Sequence, residues 1–503
     1  MDNKQITKTR YVDYISCPRM FYYTLHNEDK ASVSDDYLNA LMQEGILVGR
    51  WAHKYFPDTH KVKLNEKDAN YKLHLEITQK LIKEGVDVIS EATFTYNDLF
   101  CAVDLLKKNG DGYDIYEVKA CGENIKKHLP SYIPDIAFQK YVLTKCGINV
   151  KHCYIMHLNS SYVRQGDIDV KQLFVIDSFT YDDAFNEHYK HVEENIDDIR
   201  RVLDLKAAPD YGEKCGSKCP YMDFCHSHLP FPNVVFINGI HKKEAHELIK
   251  QGIITYEQVL KAQVKSVERN PRRKAQVEIG ASGLKRSLDK PALTSFLKSL
   301  KYPLYHLDFE TYSQAVPPFD GAHPFQVVPF QYSLHIEKSP GGELIHKEFL
   351  ANDFNEMEEI AKRLCEEIPI DGMVIAFHVS TEQGILHSLA KLFPKYQKHL
   401  DTIADHAVDL WKVFTSGIYY DVKQGGSNSI KYVMPALCPN MENAYHSLPF
   451  VHNGGEAMTM FPEMMENKGD PKYQEKRQGM LKYCELDTLS MVEILKVLWD
   501  AIK

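Results

Sequence analysis

The chain has 503 residues, 44% of them hydrophobic and 26% charged, values that suit folded protein with two or three cores and exclude a disordered chain. Its formal charge of -9 argues against a uniformly basic nucleic-acid coat, while leaving room for local basic patches and for carboxylates that gather cations. Apolar runs such as Met373–Phe377 are far shorter than a membrane span, and the start Met-Asp-Asn-Lys-Gln lacks the apolar stretch of a secretion signal, so the expected location is cytoplasmic.

From Thr9 to about Tyr55 the spacing of aromatic and aliphatic residues predicts helices, and Tyr71–Glu84 predicts another. The period then changes to two: Glu91–Tyr96, Leu99–Leu106 and Tyr113–Lys119 read as successive strands, joined by turns at Asn97-Asp98 and Asn109–Gly112. A helix over Ile136–Lys145 and a strand over His152–Leu158 complete an α/β unit. Leu229-Pro230-Phe231-Pro232 breaks any continuing element, which sets a first domain at 1–232. Residues 233–300 read as a polar helical connector. A second α/β domain, 301–503, follows with strands Leu304–Phe309, Pro329–Glu337, Leu344–Leu350 and Met373–Phe377, a helix Asn355–Glu367 and a last helix Glu475–Ile502.

In Glu117-Val118-Lys119 the charged side chains stand at i and i+2, hence on one face of a strand, and Asp104 lies on the preceding strand within pairing reach. Two carboxylates so placed can hold a divalent cation while Lys119 orients water and stabilises charge developing on a phosphate; a solvated cross-strand ion pair is the plainer alternative. His53, Glu91, Gln139 and Tyr141 are the candidates to complete the set. The order Gly49 to His53, Glu91, Asp104-Leu105-Leu106, Glu117-Val118-Lys119, Gln139 and Tyr141 resembles the RecB-like branch of the PD-(D/E)xK nucleases. That resemblance implies a restriction-endonuclease-like fold, with His53, Asp104 and Glu117 as ligands of magnesium or manganese and Lys119 and Gln139 as further catalytic residues.

Eleven cysteines in a reducing compartment point to metal binding or burial rather than disulfides. Cys215, Cys219 and Cys225 fall within one short loop, dense enough for a soft-metal knuckle that needs a fourth ligand. RecB-like nucleases of the CRISPR-associated and AddB groups carry one early and three late cysteines around a [4Fe-4S] cluster, and similarity to them implies Cys17 as the fourth. Zinc is the alternative, with His226 and His228 as further donors.

Asp308-Phe309-Glu310 ends an apolar strand with both carboxylates on one face, and Tyr483 and Asp487 stand at i and i+4 on the last helix. Asp308, Glu310 and Asp487 can bind a cation pair, with Tyr483 orienting the attacking water; ordinary strand-end and exposed-helix roles are the plainer alternative. Glu382, just after a strand, is the best placed further acid, and Asp409 is a secondary candidate as ligand or support. This order resembles the DnaQ-like, RNase H-fold exonucleases of the tyrosine-bearing DEDD type, with Glu382 standing where Asp is usual. Ser429 to Leu437, Asn453-Gly454-Gly455-Glu456-Ala457 and Tyr483 to Thr488 extend the likeness to a bacterial family of unknown function that joins RecB-like and DnaQ-like parts in this order. The resemblance implies a metal-dependent nuclease acting on DNA more readily than RNA, with 3′-5′ exonuclease action in the second domain and a place in defence or repair. One active site beside a nucleic-acid clamp, or a non-catalytic scaffold with protein partners, are the alternatives. Arg269, Arg272, Arg273 and Lys274 in the connector form the best basic patch for a phosphate backbone, or else a solvated helix face.

Overall fold

The computed structural model describes residues 5–32, 36–62, 70–211, 219–441 and 443–503. The chain separates into two compact units: Met1–Ser34 and Leu38–His226 with Gln314–Gln326, and Ser227–Ser313 with Val327–Lys503, the latter also taking Asp35–Tyr37. The expected connector therefore lies wholly inside the second unit, and a loop of the expected second domain packs with the first. Among the described residues no helix is long and apolar enough to cross a membrane.

The first unit is built on a mixed sheet of seven strands: β1 (Ile6–Thr7), β2 (His60–Lys61), β3 (Val88–Tyr96), β4 (Leu99–Asn109), β5 (Gly112–Lys119), β6 (Val150–Leu158) and β7 (Phe174–Ser178). Alternating apolar residues of β3 to β6, among them Ile89, Val103, Ile115 and Ile155, pack beneath the helix Leu129–Lys145, which contributes Ile133, Ile136, Phe138 and Val142. One edge of β4 pairs with β3 from Leu99 to Lys107 with one break, and its other edge is shared: Leu99 and Phe100 pair with β1, whereas Leu105 to Asn109 pair with β5. Asp104 falls where those two partners part. Across from it, the β3 pairing skips Glu91, whose φ of 57° is left-handed and strained for a residue with a side chain.

The second unit holds a five-stranded sheet in the order β11-β10-β9-β12-β13 (Leu344–Leu350, Val328–Glu337, Leu304–Tyr312, Met373–Ala376, Ala407–Asp409), and a two-stranded ribbon of β8 (Arg286–Leu288) with β14 (Tyr419–Asp421). β9, β10 and β11 are antiparallel neighbours; β12 and β13 run parallel to β9. The register places His306, Asp308 and Glu310 opposite His335, Ser333 and Gln331, so all six share one sheet face. The 30-residue helix Tyr473–Ile502 packs against these strands, burying Met480, Tyr483, Cys484, Asp487, Thr488 and Met491. Strands and helices match the sequence reading closely, including Tyr71–Glu84 residue for residue. The short β1, β2, β7 and β13 were not foreseen, because two to five residues carry too little periodicity to stand out.

Candidate functional site

In the first unit the splay of β1 away from β5 leaves an acidic pit. The Asp104 carboxylate accepts the Val118 N–H at 2.8 Å, and Glu117, only 2% exposed, lies beside it. Lys119 donates to Glu117 Oε1 and to Asp135 Oδ2, both at 2.7 Å, with its ammonium 4.9 Å from the Tyr132 ring centre. Gln139, one helical turn after Asp135, donates through Nε2 to Glu117 Oε2 at 2.6 Å and to Asp135 Oδ1 at 3.0 Å. The two strands and the helix thus bring together Asp104, Glu117, Lys119 and Gln139 of the expected set.

Two members escaped the sequence reading. Asp135 completes the acidic group, and Lys8, carried in by β1, places its Nζ 3.1 Å from both oxygens of Glu117, 3.7 Å from Asp104 and 4.0 Å from Asp135. Burial alone would depress the Lys8 ammonium, but Asp104, Asp135 and Glu117 hold its pKa well above the usual lysine value. Burial raises Asp104, helped by Glu91, whereas Glu117 ends lower than a free glutamate because Lys119 and Lys8 outweigh burial and Asp104. The space between the carboxylates is therefore already served by ammonium charge.

His53 ends the helix Asp36–Ala52 and is not hydrogen-bonded to this group: its Nδ1 is enclosed without a partner, burial holds its pKa to about 4, and Lys61 is the charge it feels. Tyr141 turns toward Glu193 and Lys145, away from the carboxylates, because two residues beyond Gln139 is the opposite side of a helix.

Cys17 caps the helix Pro18–His26, its Sγ accepting the Met20 N–H at 3.4 Å. Burial raises the Cys219 and Cys225 thiols, with Cys17 adding to the rise of both and Cys225 to that of Cys219; Cys215 lies outside the described residues. Arg19 locks this corner by donating to Cys225 Sγ at 3.2 Å and to the Pro209 carbonyl at 2.7 Å. His226 makes a 2.7 Å hydrogen bond through Nδ1 to the Met222 carbonyl and stacks on Tyr211, and His228 belongs to the second unit.

The second unit holds a pocket of about 200 Å³ lined by Asp308, Glu310, Glu382, Lys431, Tyr483 and Asp487 with apolar neighbours. β9 supplies Asp308 and Glu310, the first turn of the helix Ser380–Leu392 supplies Glu382, and the helix Tyr473–Ile502 supplies Tyr483 and Asp487. Ligand atoms of Asp308, Glu310 and Cys484 lie within 4.8 Å of one another. Burial, then Asp487, Glu310 and Glu382, push Asp308 well above the carboxylate range, and burial and Asp487 do the same to Glu310 against the pull of Lys431. Glu382 is raised to about 8 by burial with Asp409 adding, and its Oε2 is enclosed with no hydrogen-bond partner. Asp487 is raised to about 6 by burial, opposed by a 2.5 Å hydrogen bond from the Tyr445 hydroxyl. Asp409 instead accepts the His378 and Trp411 N–H groups at 3.1 Å each, which makes it a support for the turn rather than a pocket wall.

Tyr445 and Lys431 were not foreseen as site residues; Lys431 sits 5.6 Å from the Tyr483 ring centre and 5.9 Å from that of Tyr445. Nor was Gly454, where a Cβ would stand 3.6 Å from Glu310 Oε2 and 4.0 Å from the Tyr483 hydroxyl. The residues of the basic patch are held to different degrees: Arg273 donates to the carbonyls of Asn238, Ser266 and Gly239, Lys274 pairs with Glu268 at 2.9 Å, and burial depresses Arg272 to about 10. Arg269 is exposed.

Residues 305–429 match a family described as a domain of unknown function, DUF2779, a stretch that contains Asp308, Glu310 and Glu382 and ends before Tyr483 and Asp487. The uncharacterized protein MG366 of Mycoplasma genitalium (strain ATCC 33530 / DSM 19775 / NCTC 10195 / G37) is 23% identical over 220 residues, covering 41% of this chain and 33% of that protein. The chain thus spans about a third of the length of the curated relative it matches. Two solved structures align with part of the chain: an alkaline exonuclease (LHK-Exo) from Laribacter hongkongensis, 13% identical with a TM-score of 0.19, and LHK-Exo in complex with dAMP, 14% identical with a TM-score of 0.22. Each alignment covers 40% of this chain and 92% of the other.

Proposed function

We propose that this chain is a divalent-cation-dependent nuclease whose hydrolytic centre is the pocket of the second unit. The observation that carries the reading is the charge imbalance there: Asp308, Glu310, Glu382 and Asp487 converge on one small space with Lys431 as the ammonium beside them. Their raised pKa values and the unpartnered Glu382 Oε2 are the marks of a donor set that fits hard cations. These four residues would hold magnesium or manganese, which would supply charge neutralisation on a phosphodiester and a more acidic water. Tyr483, at 3% exposed, lines the same pocket and is placed to orient an attacking water, and Tyr445 fixes the Asp487 carboxylate by its short hydrogen bond. The 3-antiparallel, 2-parallel strand order supports the RNase H-like, DnaQ-type reading of the fold, and 3′ end digestion of DNA is the activity that this reading carries with it.

For the first unit the RecB-like reading is supported by Asp104, Glu117, Lys119 and Gln139 sharing one cluster, and the iron-sulfur or zinc reading by the electrostatic influence of Cys17 on both Cys219 and Cys225. One observation favours the alternative in which only the second unit cuts and the first clamps nucleic acid: Lys8 already neutralises Glu117 and Asp104. The deciding experiment digests 3′- and 5′-labelled DNA and RNA with manganese, using wild type, Asp308→Asn and Lys119→Ala. Loss of 3′ end digestion by at least about a hundredfold in Asp308→Asn is expected. Wild-type rates in both variants would reject the nuclease reading altogether.

A further inference from the structure

We infer that the second unit carries a separate transition-metal site formed by His335, His346 and Glu485, suited to zinc or another imidazole-preferring divalent ion. His335 on β10 and His346 on β11 are directly paired across the hairpin, with rings stacked at 4.5 Å. Glu485 comes down from the helix Tyr473–Ile502, and one ligand atom from each of the three residues lies within 4.8 Å of the others.

The surrounding hydroxyls assign the imidazole protons. His335 Nδ1 and Ser333 Oγ both lie 2.7 Å from Thr488 Oγ1, His346 Nε2 lies 3.0 Å from Ser333 Oγ, and Thr488 Oγ1 is 3.0 Å from the Glu485 carbonyl. One proton assignment satisfies every contact: Thr488 donates to the Glu485 carbonyl, Ser333 and His335 Nδ1–H donate to Thr488, and His346 Nε2–H donates to Ser333. That assignment leaves lone pairs on His335 Nε2 and His346 Nδ1. Each imidazole is then a neutral ligand oriented by a hydroxyl behind it, the usual support for a metal-bound histidine.

His346 Nδ1 faces Glu485 Oε1 at 3.8 Å, too far for a direct hydrogen bond. Two donors on one tetrahedral zinc, each about 2.1 Å from it, stand about 3.4 Å apart, so His346 and Glu485 need to close by a few tenths of an ångström and the His335 ligand atom, within 4.8 Å of both, by up to about 1.4 Å. The His346 and Glu485 side chains keep 23% and 43% of their exposure, which gives an ion a path in, while His335 is buried. Two imidazoles and a carboxylate form a borderline donor set, unlike the all-oxygen acids of the neighbouring pocket, so the two sites differ in the ions they prefer.

Metal-stripped full-length protein is titrated calorimetrically with zinc chloride, alongside His346→Asn, Glu485→Gln, Asp308→Asn and Cys225→Ser, with thermal melting as a second readout. The expected result is one zinc equivalent lost in His346→Asn and weakened at least tenfold in Glu485→Gln, with the zinc-dependent rise in melting temperature reduced in both. That equivalent persists in Asp308→Asn and Cys225→Ser. Glu485 is half-exposed, so its glutamine variant folds even if the histidine change disturbs the sheet. Unchanged zinc stoichiometry and affinity in both His346→Asn and Glu485→Gln overturns the proposal, as does loss of the same equivalent in Asp308→Asn alone, which would place the zinc among the acids.

Discussion

The Lys8 ammonium lies 3.1 Å from each carboxylate oxygen of Glu117, 109 residues further along the chain. It stands where a cation belongs, so the charge of the pit is met by the protein itself. Replacing it as Lys8→Met leaves Glu117, Asp104 and Asp135 with Lys119 as their remaining close ammonium. Stability in chelator should fall by roughly 2–3 kcal/mol, less than for a wholly buried pair because 26% of the Lys8 side chain remains exposed. Manganese should then raise the melting temperature of the first unit more in Lys8→Met than in wild type; equal manganese responses would show that Lys8 and a metal do not compete.

Acid pH should stabilise the metal-free second unit. The fold raises Asp487 to about 6 and Glu382 to about 8, so the native state holds protons that the unfolded chain has released. Stability from these groups is full below the unfolded carboxylate range near pH 4 and is lost as pH rises through 6 and then 8. Urea unfolding in chelator at pH 5, 6, 7 and 8 reads this slope. Glu382→Gln should flatten its upper part, and saturating manganese should remove most of it, since a bound cation takes the place of the protons.

Tyr445→Phe deletes the donor on Asp487 without emptying the space its ring fills. Manganese affinity of the carboxylate pocket should drop by about tenfold, the usual effect of losing a hydrogen bond behind a ligand. The manganese concentration giving half-maximal hydrolysis measures it. A large fall in melting temperature with unchanged manganese dependence would mean that Tyr445 serves packing alone.

Arg273→Ala and Arg269→Ala test the basic patch. The three carbonyl partners of Arg273 predict a stability loss of about 2 kcal/mol, with DNA affinity measured by fluorescence anisotropy unchanged in the fraction that remains folded. Arg269→Ala, at an exposed position, should lower DNA affinity and leave stability unchanged.

What the sequence made legible was periodic or local. Glu117 and Lys119 share a face because strands alternate, Tyr483 and Asp487 because helices repeat, and both pairs were visible without coordinates. Lys8 and Asp135 were not, since nothing in Lys8-Thr9-Arg10 or in Pro134-Asp135-Ile136 marks them until the shared edge of β4 and the turn of a helix bring them to Glu117. His335 and His346 likewise sit in unremarkable strand sequence, and only the hairpin register makes them neighbours.

The two-residue strand Ile6–Thr7 is hydrogen-bonded beside Leu99 and Phe100, and the residue that follows it, Lys8, is the one whose ammonium meets Glu117. A substitution that loosens this strand, such as one at the buried Ile6, is therefore an intervention at a charge centre rather than at the rim of a sheet.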